Sequence, residues 1–178
     1  MSKNKATLLL FLVSIMWGGG CIAIKLAVNA GLAGGQLNMY RGFFYALLML
    51  IFFSKQIFAM SKKTFIIGLS AGVFNFLGFL FQAIGAAYTT PAKSSFLTTI
   101  SVVMVPFIVW AMYGIKPKKQ NIIAVFVCAY GMAVMTSFFS NNLSLDIGDT
   151  YTIIGSFFFG MSVIMLSRQP EDAHFSQT

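Results

Sequence analysis

Charge is what this sequence has least of. Only 9% of its 178 residues are charged, whereas 58% are hydrophobic. Soluble domains carry about 25% charged residues. A chain with so few charges cannot cover a water-facing surface, so we interpret it as a protein that uses a lipid bilayer as its solvent.

Acidic residues, histidine and cysteine are also rare. The chain has four acidic residues, a single histidine (His174) in its polar C-terminal stretch, and two cysteines, Cys21 and Cys128, inside apolar runs. Neither a disulfide framework nor a metal site is expected from this set. We predict no catalytic residues, no metal and no cofactor.

The positive charge does not form a nucleic-acid footprint. The formal net charge is +8, but the twelve Lys and Arg residues are scattered singly or in short groups between long apolar runs. Nucleic-acid binding needs a basic stripe or patch on one face. We therefore expect no nucleic-acid partner.

Six stretches are long and apolar enough to cross a bilayer, which takes about 20 residues of helix. They cover approximately residues 6–28, 36–53, 65–87, 92–113, 121–139 and 151–167. The sequence therefore predicts an all-α fold, a polytopic transmembrane helical bundle of about six helices.

Lys and Arg are concentrated in the connections on one side of this predicted bundle. The connections on the other side, at about residues 29–35, 88–91 and 140–150, contain no cation but include Asp146 and Asp149. By the positive-inside rule, this asymmetry predicts a cytoplasmic N-terminus. We expect the protein in the plasma (inner) membrane.

Three cations, Lys25, Arg41 and Lys93, lie inside or at the edge of predicted helices. No Asp or Glu falls within the six predicted spans, so no carboxylate partner or proton relay is expected there. An ionisable residue inside the membrane suggests function, and we expect Lys25 and Arg41 to attract an anionic group such as a carboxylate. The alternative, favoured for Lys93, is that the long side chain reaches the headgroups.

Polar and aromatic side chains complete the candidate substrate site. Asn75 and Gln82 lie seven residues apart in the third predicted helix and favour a wet or ligand-facing side. In that helix Gly68 and Gly72 are expected to serve packing, and Pro106 is expected to kink the next helix. The predicted substrate-binding residues are Trp17, Lys25, Tyr40, Arg41, Tyr45, Asn75 and Gln82.

Several short motifs occur in a specific order. They are Trp17-Gly18 followed by Ile24-Lys25, then Tyr40-Arg41-Gly42-Phe43, the run from Gln82 to Leu97 that contains Tyr88-Thr89-Thr90-Pro91, and Pro106. With these motifs the chain resembles the EamA-type permeases of the drug/metabolite transporter superfamily. The resemblance implies ten helices in two inverted five-helix repeats, with the substrate bound near the membrane midplane.

On this resemblance, residues 1–139 would form the first repeat. Residues 140–178 would form an outer loop, the first helix of a truncated second repeat at residues 147–167, and a cytoplasmic tail. We expect a transporter of small metabolites such as amino acids, and a fragment of a ten-helix protein. The alternatives are a non-transporting or dimerising subunit, with a homodimer as its assembly, and an integral membrane enzyme. The motifs are compatible with amino acids, nucleosides, sugars and drugs.

Overall fold

The computed structural model describes residues 3–135 and 146–168, and within these ranges all regular secondary structure is helical. Five stretches of the described chain are long and apolar enough to cross a membrane, one of them formed by α4 and α5 together. The predicted all-α bundle is confirmed. The helices are α1 (Lys3–Asn29), α2 (Gly34–Phe58), α3 (Lys62–Ala86), α4 (Pro91–Thr98), α5 (Ile100–Tyr113), α6 (Lys119–Met135) and α7 (Ile147–Leu166).

Local signals set several helix ends. The hydroxyl groups of Ser61 and Thr90 each accept a hydrogen bond from a backbone N–H in the first turn of the helix that follows, at 3.2 Å in both cases. Pro91 follows Thr90 at the first helical position, where its missing N–H costs no hydrogen bond. Gly114 ends α5 with a left-handed backbone, φ 70°, which glycine adopts without strain.

The interruption between α4 and α5 lies at Thr99, seven residues before Pro106. The backbone N–H of Thr99 bonds to the carbonyl of Phe96, and that of Val102 to the carbonyl of Thr99, both with the tighter spacing of three residues. Pro106 itself lies within α5, whose helical backbone continues across it. The two segments together form one membrane span, Pro91–Tyr113.

Helix α7 begins at Ile147, where the family resemblance places it and four residues before the start at residue 151 that hydropathy alone predicts. Asp146 is its N-cap, and the backbone N–H of Asp146 donates to Oδ2 of Asp149 at 3.2 Å. A carboxylate in the first turn is also favourable near the positive end of the helix dipole. The expectation that no carboxylate lies in a membrane helix was therefore wrong, because Asp149 belongs to α7.

Helices α3 and α7 pack antiparallel along a seam of small residues. A Cβ atom added at Gly85 would lie 2.7 Å from the carbonyl oxygen of Gly148, and one added at Gly155 would lie 2.8 Å from that of Gly78. One further heptad along, Ser162 donates to the carbonyl of Ala71 at 3.0 Å. The seven-residue step on both helices is the period of left-handed helix packing, and the α3–α7 seam consists of Ala71, Gly78 and Gly85 facing Ser162, Gly155 and Gly148.

The glycines singled out from the sequence are not the ones that pack. Nothing lies within 4 Å of a Cβ atom added at Gly68 or Gly72, so no described neighbour requires a glycine there. Ala71 and Gly78, by contrast, face α7. The face of α3 that packs against α7 is therefore a different one from the face predicted from Gly68 and Gly72.

Hydroxyl groups join α7 to its neighbours within the apolar interior. Ser156, which is fully buried, donates to the carbonyl of Leu97 at 2.8 Å and also to that of Thr152. Leu97 lies just before the interruption at Thr99. Hydrogen bonds of this kind satisfy polar groups that lipid cannot solvate, and they fix α7 against α4.

Helices α1 and α2 contact the centre mainly near the turn that joins them. Ile24 packs with Ala83 and Ala86 of α3, and Leu37 of α2 adds to this cluster. A Cβ atom added at Gly34 would lie 2.9 Å from the backbone nitrogen of Ile84. Most side chains in the first half of α1 and the second half of α2 are exposed, as expected for apolar surface that meets lipid or another helix.

We predict that Gly85→Ala destabilises the protein by about 1–3 kcal/mol, because overpacking a tight contact costs that much. The added methyl group would meet backbone atoms that cannot rotate away. The measurement is the free energy of unfolding in mixed micelles. Gly72→Ala is the control on the same helix, and we expect it to be neutral or slightly stabilising, by up to about 1 kcal/mol. Equal effects of both substitutions would contradict the assignment of the seam.

Candidate functional site

A second face of α3 carries the polar and aromatic groups that contact α1, α2 and α4. Asn75, Phe79, Gln82 and Ala86 follow one another at spacings of four, three and four residues, which places them on one side of the helix. The structure brings a different partner to three of these four positions. We call the four residues the α3 polar face.

Arg41 of α2 lies over Phe79. Its guanidinium carbon is 3.5 Å from the centroid of the Phe79 ring and 5.8 Å from that of Tyr45, one turn further along α2. Both distances are within the range of cation–π attraction. Among the residues that the structure describes, no carboxylate pairs with Arg41 and no hydrogen bond uses its N–H groups.

Gln82 is 4% exposed and joins three helices. Its Nε2 donates to the hydroxyl group of Thr98 in α4 at 2.8 Å and lies 3.8 Å from the sulfur of Cys21 in α1. The Thr98 hydroxyl in turn donates to the carbonyl of Ser94. Gln82 is therefore held in one orientation within the bundle.

Lys25 of α1 binds the C-terminal end of α3. Its Nζ donates to the carbonyl of Ala86 at 2.7 Å and to that of Ala87 at 3.3 Å. A cation at a helix C-terminus neutralises carbonyls that have no partner inside the helix. Two of the three donors of Lys25 are thus used by the fold, and its charge remains near the α3 polar face.

Asn38 is a polar residue that was not among the predicted substrate-binding residues. It is 4% exposed, and its Nδ2 donates to the backbone carbonyl of Phe76 at 3.0 Å. The signal was its position one turn before Arg41. This hydrogen bond fixes α2 against α3 next to the point where Arg41 meets Phe79.

The remaining predicted site residues are less closely associated. Trp17 is 77% exposed and Tyr40 about half exposed, and neither has a described polar partner. Asn75 is half-buried on the α3 polar face, without a hydrogen bond in the part of the chain that the structure describes. The structure therefore brings together Arg41 and Tyr45 beside Phe79, and Gln82 one turn along α3.

A separate ionic cluster lies where α4 and α7 begin. Asp149 is completely buried, and its two oxygens are both used. Oδ1 accepts from the hydroxyl group of Thr89 at 2.8 Å, and Oδ2 accepts from Nζ of Lys93 at 2.7 Å. Lys93 also lies 3.5 Å from the exposed carboxylate of Asp146.

The sequence suggested that Lys93 reaches the lipid headgroups. In the structure its side chain instead pairs with Asp149 within the bundle. The sequence contained the signal, since Lys93 and both acidic residues were predicted near the same membrane surface. Only the helical start of α7 converts this proximity into a contact. The buried pair fixes α7 to the beginning of α4.

We predict that Asp149→Asn destabilises the protein by about 3–5 kcal/mol, the cost of leaving one member of a buried pair without its partner. The partial exposure of Lys93 favours the lower end of this range. Asp146→Asn is the matched control and should cost at most about 1 kcal/mol, as for surface pairs. Chemical unfolding in micelles measures both.

The double variant Lys93→Met/Asp149→Leu extends this test. Because it removes both charges, it should be more stable than Lys93→Met alone and than Asp149→Leu alone. Strictly additive losses would contradict the direct pairing of the two side chains.

The helices, their apolar surfaces and the polar face at their centre define a multi-pass membrane protein. A family model described as the EamA-like transporter family matches residues 4–137. An uncharacterized transporter of Archaeoglobus fulgidus is 31% identical over 163 residues, which cover 92% of this chain and 49% of that protein. No solved structure matches the chain.

This chain belongs to the EamA-like transporter family. The resemblance inferred from the ordered motifs is thereby confirmed. The chain spans about half the length of the curated relative it matches.

Proposed function

We propose that the chain binds and helps to transport small metabolites that carry a carboxylate, with amino acids as the first candidates. The observation that supports this most is Arg41. It lies inside a membrane helix and stacks on Phe79, and no described acidic residue neutralises it. A cation inside the membrane without an anion in its own protein is costly, and a substrate carboxylate would supply the missing charge.

The neighbours of Arg41 suit such a ligand. Tyr45 adds an aromatic surface beside the guanidinium group. Gln82 presents an amide group one turn along the α3 polar face, and Lys25 contributes positive charge near the end of α3. In this proposal Trp17, Tyr40 and Asn75 line the path to the site rather than hold the charged group.

A second set of helices would complete the pathway. The family match, the half-length coverage of the relative and the exposed apolar faces of α1 and α2 support this proposal. The second set would belong either to a longer polypeptide or to a second copy of the chain. The molecular mass of the transporting species in reconstituted vesicles distinguishes these two arrangements.

We expect at least one amino acid to raise the melting temperature of the purified protein, because a ligand that binds the native state stabilises it. The amide of the same amino acid, which lacks the carboxylate, should have little effect. Arg41→Gln should weaken binding by about 10-fold or more, the value of a charge-assisted hydrogen bond. The measurement is thermal unfolding against a panel of amino acids and their amides.

Arg168→Gln is the matched control, since Arg168 is the other arginine of the chain and lies at the far end of α7. It should keep the response of the unchanged protein. Stabilisation by nucleosides or sugars alone, or a response that survives Arg41→Gln, would exclude the proposed role of Arg41.

We also propose that the N-terminus is cytoplasmic and that the protein resides in the plasma (inner) membrane. The basic connections on one side support this orientation. In a chain with Cys21→Ala and Cys128→Ala, a membrane-impermeant maleimide should label Ala30→Cys in intact cells. Lys118→Cys should react only after permeabilisation, and the reverse pattern would overturn the orientation.

A further inference from the structure

Arg41 contacts the ring of Phe79, and no hydrogen bond among the described residues uses the N–H donors of its guanidinium group. With the guanidinium carbon 3.5 Å from the ring centroid, the cation lies against the face of the ring. A guanidinium group stacked in this way uses its face for the aromatic contact, while its N–H donors point outward in its own plane. These donors match the two oxygens of a carboxylate.

The Phe79 ring also contacts a second aromatic ring, which belongs to α7. Phe159 of α7 meets it edge to face, with the centroids 4.8 Å apart and an angle of 78° between the planes. Phe159 lies in the space above Gly78, where an added Cβ atom would be 2.7 Å from the ring. The order of contacts is therefore Arg41 on α2, Phe79 on α3 and Phe159 on α7.

We propose that Phe79 is a positioning residue for substrate binding, which fixes the plane of the Arg41 guanidinium so that its free edge receives a carboxylate. This inference rests on the proposed function, in which Arg41 binds the anionic group. A long cationic side chain loses much rotamer freedom when it is fixed. Stacking on Phe79 removes part of that freedom before the ligand arrives, so binding becomes tighter.

The chain offers a well-matched comparison on the same helix. Phe81 also stacks on aromatic residues of α7, with its centroid 5.5 Å from that of Phe158 and 6.2 Å from that of Tyr151. Its described ring contacts do not include Arg41. Phe79→Met and Phe81→Met thus remove the same ring from the same interface, but only the first removes the surface beneath the cation.

The two arginines allow a direct readout. Phenylglyoxal modifies guanidinium groups, and mass spectrometry of the digested protein reports Arg41 and Arg168 separately. Arg168 stacks on Tyr113, with 3.9 Å between its guanidinium carbon and the ring centroid, and serves as the internal reference. The full chain is placed in lipid nanodiscs, with acetate as the anionic probe, acetamide as its uncharged analogue, and chloride to hold the ionic strength constant.

In the unchanged protein, acetate should slow the modification of Arg41 and acetamide should not. Phe79→Met should raise the half-protecting acetate concentration at Arg41 by about 10-fold, a value between those of an exposed and a desolvated cation–π contact. Phe79→Tyr, which keeps an aromatic face, should stay within about twofold of the unchanged protein. Phe81→Met should leave protection at Arg41 unchanged, and no variant should alter the response of Arg168.

The possible outcomes separate this inference from the proposed function. If acetate does not protect Arg41 in the unchanged protein, the anion-binding role of Arg41 fails and this inference fails with it. If acetate protects Arg41 equally well in Phe79→Met, the positioning role is overturned and the anion site stands. Equal losses in Phe79→Met and Phe81→Met would assign the effect to general packing and would also overturn the positioning role. Should Phe79→Met fail to fold, the comparison of Phe79→Leu with Phe79→Tyr decides in the same way.

Discussion

The close approach of α3 and α7 is the constraint on which the rest of the bundle depends. At Gly85 and Gly148 the two backbones lie so near each other that neither position has room for a methyl group. Lipid provides no hydrophobic drive between helices, so association depends on packing and on hydrogen bonds between helices. The small residues of the seam permit both. They let the carbonyl of Ala71 accept a hydrogen bond from a serine of the facing helix, and they bring α7 into the centre of the described chain.

The ionic cluster and the α3 polar face both follow from this packing. Once α7 lies against α3, its first turn is next to the start of α4, and Asp149 loses contact with solvent. Thr89 and Lys93 replace the solvent by donating hydrogen bonds to its carboxylate. Further along the same helix, Phe159 meets the ring of Phe79 edge to face. A single helix thus stabilises the bundle at one end and supports an aromatic ring beneath a cation nearer its middle.

Much of the fold could be predicted because membrane-spanning helices consist of long runs of apolar residues. Five of the six predicted spans, the all-α class and the family followed from hydropathy and ordered motifs. The seam could not be predicted, because Gly68 and Gly72 looked as suitable for packing as Ala71 and Gly78, and only the partner helix distinguishes them. Hydropathy alone placed the start of α7 at residue 151, four residues too late, for a related reason. An acidic residue argues against a membrane helix by hydropathy alone, and its ionic partner is 56 residues away in sequence.

The cations of the candidate site show that residue type alone does not predict what a side chain contacts. From the sequence, Lys25 and Arg41 were both expected to attract an anionic group, because each is a cation inside a predicted membrane helix. The structure separates them, because Lys25 uses its compact ammonium group on two carbonyls at the end of α3, whereas Arg41 rests its face on an aromatic ring and uses none of its donors on a described residue. A point charge is suited to neutralise a helix terminus, and a planar fork is suited to recognise a planar anion. This difference in chemistry supports the proposal that Lys25 stabilises the fold and that Arg41 recognises the substrate anion.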